Sequence, residues 1–397
     1  MSGKLEKEKL DKIQRYLKDE NLDGWLLADF HARNTIAVEF LDLSMHMTRR
    51  WFYLIPAEGE PVALINMIEK ERFASLPGKK LYFTTYQTLE ENIPKLLQGA
   101  GKLAMEYSRF GRLPYVGLVD AGTIELIRSY GVEVVSSADI VAGFQARLTE
   151  RQVKMHKDAA IIVNCIKDDA FKHIKEFLDR GQTINERMVV DFMMKRFEQE
   201  EMTTDFAPIC AVDANICNPH YDSGEEKPSD INKDSLILID LWAKFKKPHA
   251  VFADITWMAY AGEVVPEKYA EEFKLISSAR DAAVSYLWEK NGQTDPVFGY
   301  EVDNACRKVI SDAGYGKYFF HRVGHSILEE GHGPGPNIDN IETKDRRKLH
   351  TGHLFSIEPG IYLEDHGMRT EINLLMTEDG PEVTTQPIQQ EIIPLLG

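Results

Sequence analysis

Cysteine is scarce in this 397-residue chain: only Cys165, Cys210, Cys217 and Cys306 occur, scattered and without the paired spacing of a zinc site. That excludes a disulfide scaffold. Cys210 and Cys217 stand near enough to pair, but reduced and mostly buried thiols in a cytoplasmic protein are the expectation. Long apolar runs are missing too: none approaches the roughly 20 residues of a membrane span. The opening MSGKLEKEKLDKIQRYL is charged throughout and has no apolar signal-peptide core. Basic residues are in deficit, with 47 Lys and Arg against 63 Asp and Glu and a net charge of −16, which argues against nucleic-acid or anionic-membrane partners. Internal repeats and low-complexity tracts are absent. Histidine is sparse at 12, yet His321, His325 and His332 crowd into HRVGHSILEEGHGPGP.

The length fits two domains. Up to about residue 148 the pattern alternates. A helix at residues 4–18 leads to a strand at GWLLADF, then paired strands at RRWFYLI and PVALIN, then KLYFTTY, TLEENIPKLLQ, KLAMEY, VDAGTIELIRSY and VEVVSS as strand, helix, strand, helix and strand. This is an α/β layer on a mixed sheet. At the boundary, Thr149 and Gln152 form a capping-box pattern opening a long helix with Val163, Ile166, Ala170, Ile174 and Phe177 on one face. A second box, Thr183 to Glu186, opens the next. Further helices run from about Pro266 to Asn291 and over about 299–313, each closed by a glycine. Between and after them lie SLILIDLWAKF, AVFADITWMAY, HLFSIEPGIYL and MRTEINLLMTE, strand-like. The expectation is a domain at 1–148 and an α+β domain at 149–397 whose sheet is largely antiparallel.

Those strands carry acids where apolar residues belong. Asp240 interrupts one and Asp254 the next, and a Lys-Lys-Pro hairpin tip between them would set the two opposite each other at about 5 Å. Glu358 sits inside HLFSIEPGIYL, and Glu371 shares a strand face with Arg369. Buried carboxylates are rare unless paired or metal-bound. Any one of them could be a capped or ion-paired acid; four together with a histidine cluster ask for a common cause. Four carboxylates and one neutral imidazole carry about −4, which two divalent cations cancel, and such a pair generates a nucleophile from water at neutral pH. Oxygen-rich ligation with one histidine favours Mn²⁺, Co²⁺ or Fe²⁺ over a thiolate-type zinc site.

With these residues the chain resembles the pita-bread metallopeptidases, which include Xaa-Pro aminopeptidases, Xaa-Pro dipeptidases (prolidases), methionine aminopeptidases and creatinase. The resemblance spans the whole chain: a creatinase-like N-terminal domain, then the pita-bread domain. That family's ligand order, Asp, Asp, His, Glu, Glu, is filled by Asp240, Asp254, His325, Glu358 and Glu371. Its DIT is Asp254-Ile255-Thr256, its HxxGH is His321 to His325, its EPG is Glu358-Pro359-Gly360, and Pro219-His220-Tyr221 resembles the proline-specific PHY. Departures are an insert at Lys247-Pro248-His249, Gly324-His325-Ser326-Ile327-Leu328 for GHGIG, His332-Gly333-Pro334 for HExP, and Trp257 for the usual arginine. They are expected around the pocket.

The resemblance implies a dinuclear metallopeptidase that cuts between an N-terminal residue and proline in a short peptide. It places two divalent ions on the five ligands, Mn²⁺ first, with Co²⁺, Fe²⁺ or Zn²⁺ as replacements. It gives Glu358 a second role as general base, makes His332 a proton donor or substrate-binding group, has His220 and His332 hold the substrate and stabilise the tetrahedral intermediate, and leaves His321, Arg369 and Thr256 to support the ligands. Gly333 to Pro336 would shape the pocket rim. A homodimer is implied, the N-terminal domain of one subunit covering the other's cleft. Two other readings are a non-peptidase of the same fold, creatinase-like or dimethylsulfoniopropionate-lyase-like, and an inactive binding module. Retention of all five ligands speaks against the last.

Overall fold

The computed structural model describes residues 7–43 and 46–397, so the start of the expected first helix lies outside the described residues. The chain divides into two compact units, Met1–Gln145 and Ala146–Gly397.

In the first unit a continuous apolar run makes the sheet centre. Gly24–Asp29 and Trp51–Pro56 are buried at every position, which requires cover on both faces. Side chains alternate: Trp25 and Leu27 join one core cluster, Leu26 and Ala28 the other. The six strands lie in the order Lys79–Phe83, Val62–Asn66, Trp51–Pro56, Gly24–Asp29, Lys102–Met105, Glu133–Ser136, with parallel and antiparallel pairings. The short helices Thr35–Phe40 and Ala138–Phe144 escape the sequence pattern because neither is long enough to display a helical period.

In the second unit Thr149 caps the helix Glu150–Asp179 through the expected reciprocal pair with Gln152. Val163, Ile166, Ala170 and Ile174 bury against the strands Leu236–Phe245 and Ala253–Tyr260. The Thr183–Glu186 box does not form. Asn185 caps Glu186–Gln199 instead, its side chain accepting from Met188 N, and Glu186 turns inward, where its carboxylate accepts from Val212 N at 2.8 Å, Ser229 N at 2.7 Å and Tyr221 OH at 2.6 Å. Helices Glu267–Lys290 and Gly299–Asp312 cover the other core cluster. Around Leu236–Phe245 and Ala253–Tyr260 the strands Met202–Thr203 and Ile209–Val212 add antiparallel, while Ile393–Pro394 adds parallel. A second sheet places Ile372–Thr377 between Leu354–Ile357 and Gly380–Val383, antiparallel to both. The architecture is α+β. All four cysteines are free, but Cys165 is exposed and Cys217 only half-buried, so just two are core residues.

One correction concerns register. Asp240 pairs with Thr256, and Asp254 with Trp242. The two acids are therefore diagonal, not opposite, because the turn at 246–252 offsets them by one pleat repeat. They still share a face.

Segment 323–327 lies against Leu354–Ile357: Ser356 N donates to His325 O at 2.9 Å, Ile327 N to Leu354 O at 2.9 Å and Glu358 N to Val323 O at 2.7 Å. Gly324 makes this approach possible, since a Cβ there would stand 1.9 Å from Ser356 O. Gly324→Ala must separate the two backbones. A drop of several degrees in the thermal midpoint, at about 2–4 °C per kcal/mol for a unit this size, is expected by scanning calorimetry.

Candidate metal centre

The strand expected at HLFSIEPGIYL and its partner MRTEINLLMTE are each broken in two, and at matching places. Ile357 pairs with Ile372 and Gly360 with Arg369, so Glu358-Pro359 faces Thr370-Glu371 across an interrupted ladder. Pro359 has no N–H to give a ladder. Glu371 N donates instead to Thr256 O at 3.2 Å, which ties the break to the strand bearing Asp254. Asn373 Oδ1 accepts from Asp254 N at 2.9 Å and strengthens the same joint. Arg369 thus ends one strand and Glu371 lies in the break, so they do not share a single strand as expected, yet both side chains meet at Thr256 Oγ1.

The ligand candidates converge here. Ligand atoms of Asp254, His325 and Glu371 lie within 4.8 Å of one another. His325 Nε2 is 3.6 Å from Asp254 Oδ2 and 3.4 Å from Glu358 Oε1. Ser356 Oγ accepts from His325 N and donates to Glu358 Oε1, each at 2.9 Å. Arg369 braces the acids: Nη2 donates to Asp240 Oδ2, Nε to Thr256 Oγ1 at 3.1 Å and Nη1 to Tyr362 OH at 3.2 Å. Thr256 Oγ1 in turn donates to Glu371 Oε2 at 2.9 Å. His321 sits behind, its Nδ1 donating to Arg322 O at 2.7 Å, which leaves Nε2 to accept from Tyr362 OH at 2.9 Å.

All five candidates line one cavity of about 710 Å³, together with His220, His332 and Arg369. His321 and Thr256 stand in the wall behind it. The His332 ring centroid is 4.1 Å from that of His325. Two sequence expectations are corrected. Trp257 does not line the cavity: it lies on the opposite strand face, in the helix-facing core, with Lys167 Nζ 3.5 Å from its ring centroid. Gly333 to Pro336 do not form the rim, which Glu330 and Gly331 supply; the Pro334 and Gly335 carbonyls accept from Arg347. Asp205, Trp242 and Glu330 line the cavity without having drawn notice in the sequence, where each reads as an ordinary polar or core residue.

Charge explains what this arrangement wants. Burial, then repulsion from Asp240 and Glu358, pushes the Asp254 carboxyl well above its ordinary range; burial, then repulsion from Asp254, does the same to Glu371. Asp240 also rises by burial, opposed by Arg369. His325 is held neutral, down to about 3, chiefly by burial. Asp240 Oδ1, Asp254 Oδ1 and Glu371 Oε1 are buried without a hydrogen-bond partner. Buried oxygens are rarely left so. Three such atoms beside a neutral imidazole fit a divalent cation with hard oxygen ligands.

Residues 154–378 match metallopeptidase family M24. The chain belongs to that family. As an M24 metallopeptidase it is 26% identical to an uncharacterized peptidase of Staphylococcus epidermidis over 95% of this chain and 99% of that protein. It is 33% identical to an Xaa-Pro dipeptidase of Lactobacillus delbrueckii subsp. lactis over 54% of each. Among solved structures, the prolidase from Pyrococcus horikoshii superposes with a TM-score of 0.67 at 22% identity, covering 97% of this chain and 100% of that one. The dipeptidase PepE from Mycobacterium ulcerans gives 0.72 at 19% identity, covering 98% and 97%. These likenesses establish the pita-bread fold for the M24 chain.

Replacing Asp254 or Glu371 by alanine removes an oxygen from the shared cluster. Loss of at least one metal by elemental analysis, with loss of peptidase activity, is expected; a variant that keeps wild-type metal and turnover contradicts the ligand set. The raised carboxyls also set a pH dependence. In the metal-free protein they bind more protons folded than unfolded, so their contribution to stability falls as pH rises from the ordinary carboxylate range towards the raised folded values. A cation must displace those protons. The rise in thermal midpoint on adding Mn²⁺ should therefore grow from about pH 5 to about pH 8.

Proposed function

We propose that this M24 peptidase hydrolyses the bond between an N-terminal residue and a following proline, using two divalent cations held by Asp240, Asp254, His325, Glu358 and Glu371. Mn²⁺ as the metal, a creatinase-like role for the N-terminal unit, a homodimer and a cytoplasmic location belong to the same reading. No helix among the described residues is long and apolar enough to cross a membrane. The observation that carries the proposal is the meeting of four carboxylates and His325 with two further histidines, His220 and His332, on one cavity.

Bound divalent cations would supply Lewis-acid polarisation and an acidified water. The remaining chemistry falls to the side chains. Glu358, fixed through Ser356 Oγ, takes the proton of the attacking water. His332 and His220 donate hydrogen bonds to the substrate and to the oxyanion of the tetrahedral intermediate. When the C–N bond breaks, the proton held by Glu358 goes to the departing proline nitrogen. His332 stays neutral near neutral pH, since repulsion from His325 and then burial hold it down to about 3, so it acts as an N–H donor and not as an imidazolium.

An Xaa-Pro bond is a tertiary amide without an N–H. A site that protonates this nitrogen and packs the pyrrolidine ring against an apolar wall gains over alanine by about 10–200-fold in kcat/KM. The measurement pairs Ala-Pro with Ala-Ala and Ala-Pro-Ala with Ala-Ala-Ala on Mn²⁺-loaded protein. Equal rates within each pair overturn proline specificity; no cleavage of any, with metal bound, favours the non-peptidase reading. His332→Ala should lose roughly 10²–10⁴-fold in rate while keeping its metal. Loss of metal in that variant would make His332 a ligand.

A further inference from the structure

Seven carboxylates and one guanidinium line the cavity. Four of the acids belong to the proposed ligand set, and Arg369 is committed to Asp240. Of the other three, Asp222 is turned to its own chain, accepting from Gly224 N at 2.7 Å. Asp205 and Glu330 remain, and neither has a role in hydrolysis.

They are close to each other and to the reacting groups. Trp242 Nε1 donates to Asp205 Oδ1 at 2.8 Å, which fixes the carboxylate. A Cβ on Gly331 would stand 3.7 Å from Asp205 Oδ2 and 3.8 Å from Trp242 Cδ1, so Asp205 rests against the backbone between Glu330 and His332. The charge of Asp205 adds to burial in raising the Glu330 carboxyl, while Lys244 opposes. Lys244 Nζ donates to Glu329 O and lies 4.9 Å from the Phe252 ring centroid, and its charge offsets part of that of Glu330. Beside the two carboxylates stand two aromatic faces, Trp242 and Phe206, and Phe206 is 73% exposed. Carboxylates next to aromatic faces are the surroundings that a guanidinium or ammonium group prefers, by charge-assisted hydrogen bonding and by cation–π contact.

We propose that Asp205 and Glu330 select peptides bearing a basic side chain, arginine before lysine, on a residue flanking the scissile proline. The proposal rests on the Xaa-Pro reading. An acidic side chain at that place meets two like charges and is rejected.

The test compares kcat/KM of the full-length, Mn²⁺-loaded protein on Arg-Pro-Ala against Glu-Pro-Ala, and on Ala-Pro-Arg against Ala-Pro-Glu. A preference for arginine of about 10–100-fold in at least one pair is expected, falling at high salt. Asp205→Asn and Glu330→Gln, alone and together, should collapse that ratio while metal content stays at the wild-type value. Arginine and glutamate peptides within threefold in both pairs overturn the proposal, as does a preference that survives the double substitution. If Asp205→Asn fails to fold, Glu330→Gln and the salt dependence of the wild-type ratio give the same decision. Ala-Pro-Ala against Ala-Ala-Ala reports separately on proline specificity. If no peptide is cleaved, calorimetric binding of the same four peptides to the Mn²⁺-loaded protein decides between a basic-side-chain site and none.

Discussion

Mutual repulsion among buried carboxylates is the constraint around which the catalytic unit is organised. Asp240, Asp254 and Glu371 are each less than a tenth exposed, and Glu358 joins them on the same cavity. An isolated ionised carboxylate in such a place is costly, and four are worse. Salt bridging relieves this only in part. Arg369 reaches Asp240, but Asp254 and Glu371 receive no cationic side chain among the described residues. The site is therefore held by the surrounding scaffold in a state that a bound cation relieves.

That scaffold consists of backbone geometry more than of side-chain pairing. The hairpin around Glu358 and Glu371 is interrupted on both strands at one level, so its two acids leave the sheet together. The neighbouring pair of strands is uninterrupted, and its pleat delivers Asp240, Asp254 and Thr256 to one face. His325 enters on a third segment that only a glycine allows close enough. Arg369, Thr256 and Tyr362 then link the three through hydrogen bonds, with His321 as the last acceptor. Burial and the nearby Arg369 hold His321 down to about 3, so it remains the neutral acceptor that Tyr362 requires.

Much of this was legible in the sequence because burying an acid leaves a mark: a charged letter inside an apolar strand. Asp240, Asp254, Glu358 and Glu371 all carry it, and all four reach the cavity. Long helices were legible for the same reason, since Val163 to Ile174 repeat at helical spacing. What failed were relations between segments. The diagonal register of Asp240 and Asp254 depends on a turn whose length does not reveal its geometry. The break in the hairpin was hidden because Pro359-Gly360 looked like a bend in one strand, whereas its effect appears only with Thr370-Glu371 opposite. At Glu186 a local capping pattern lost to Asn185 because four donors from distant segments claimed the carboxylate, among them Tyr221 OH and Val212 N.

The two tryptophans of the central strand pair show how strand parity separates structural from functional change. Trp257 and Trp242 both stand within three residues of a candidate ligand. Trp257 differs in parity from Asp254 and Thr256, so it points to the helix-facing core and packs under Lys167. Trp242 pairs with Asp254 and shares the parity of Asp240, so it faces the cavity, where its indole N–H fixes Asp205. A bulky residue at 257 therefore alters packing behind the sheet, whereas one at 242 alters the volume and charge next to the reacting groups. In this strand pair the even-numbered positions Asp240, Trp242 and Asp254 face the cavity, so variation there, together with the carboxylate that Trp242 positions, bears on substrate choice.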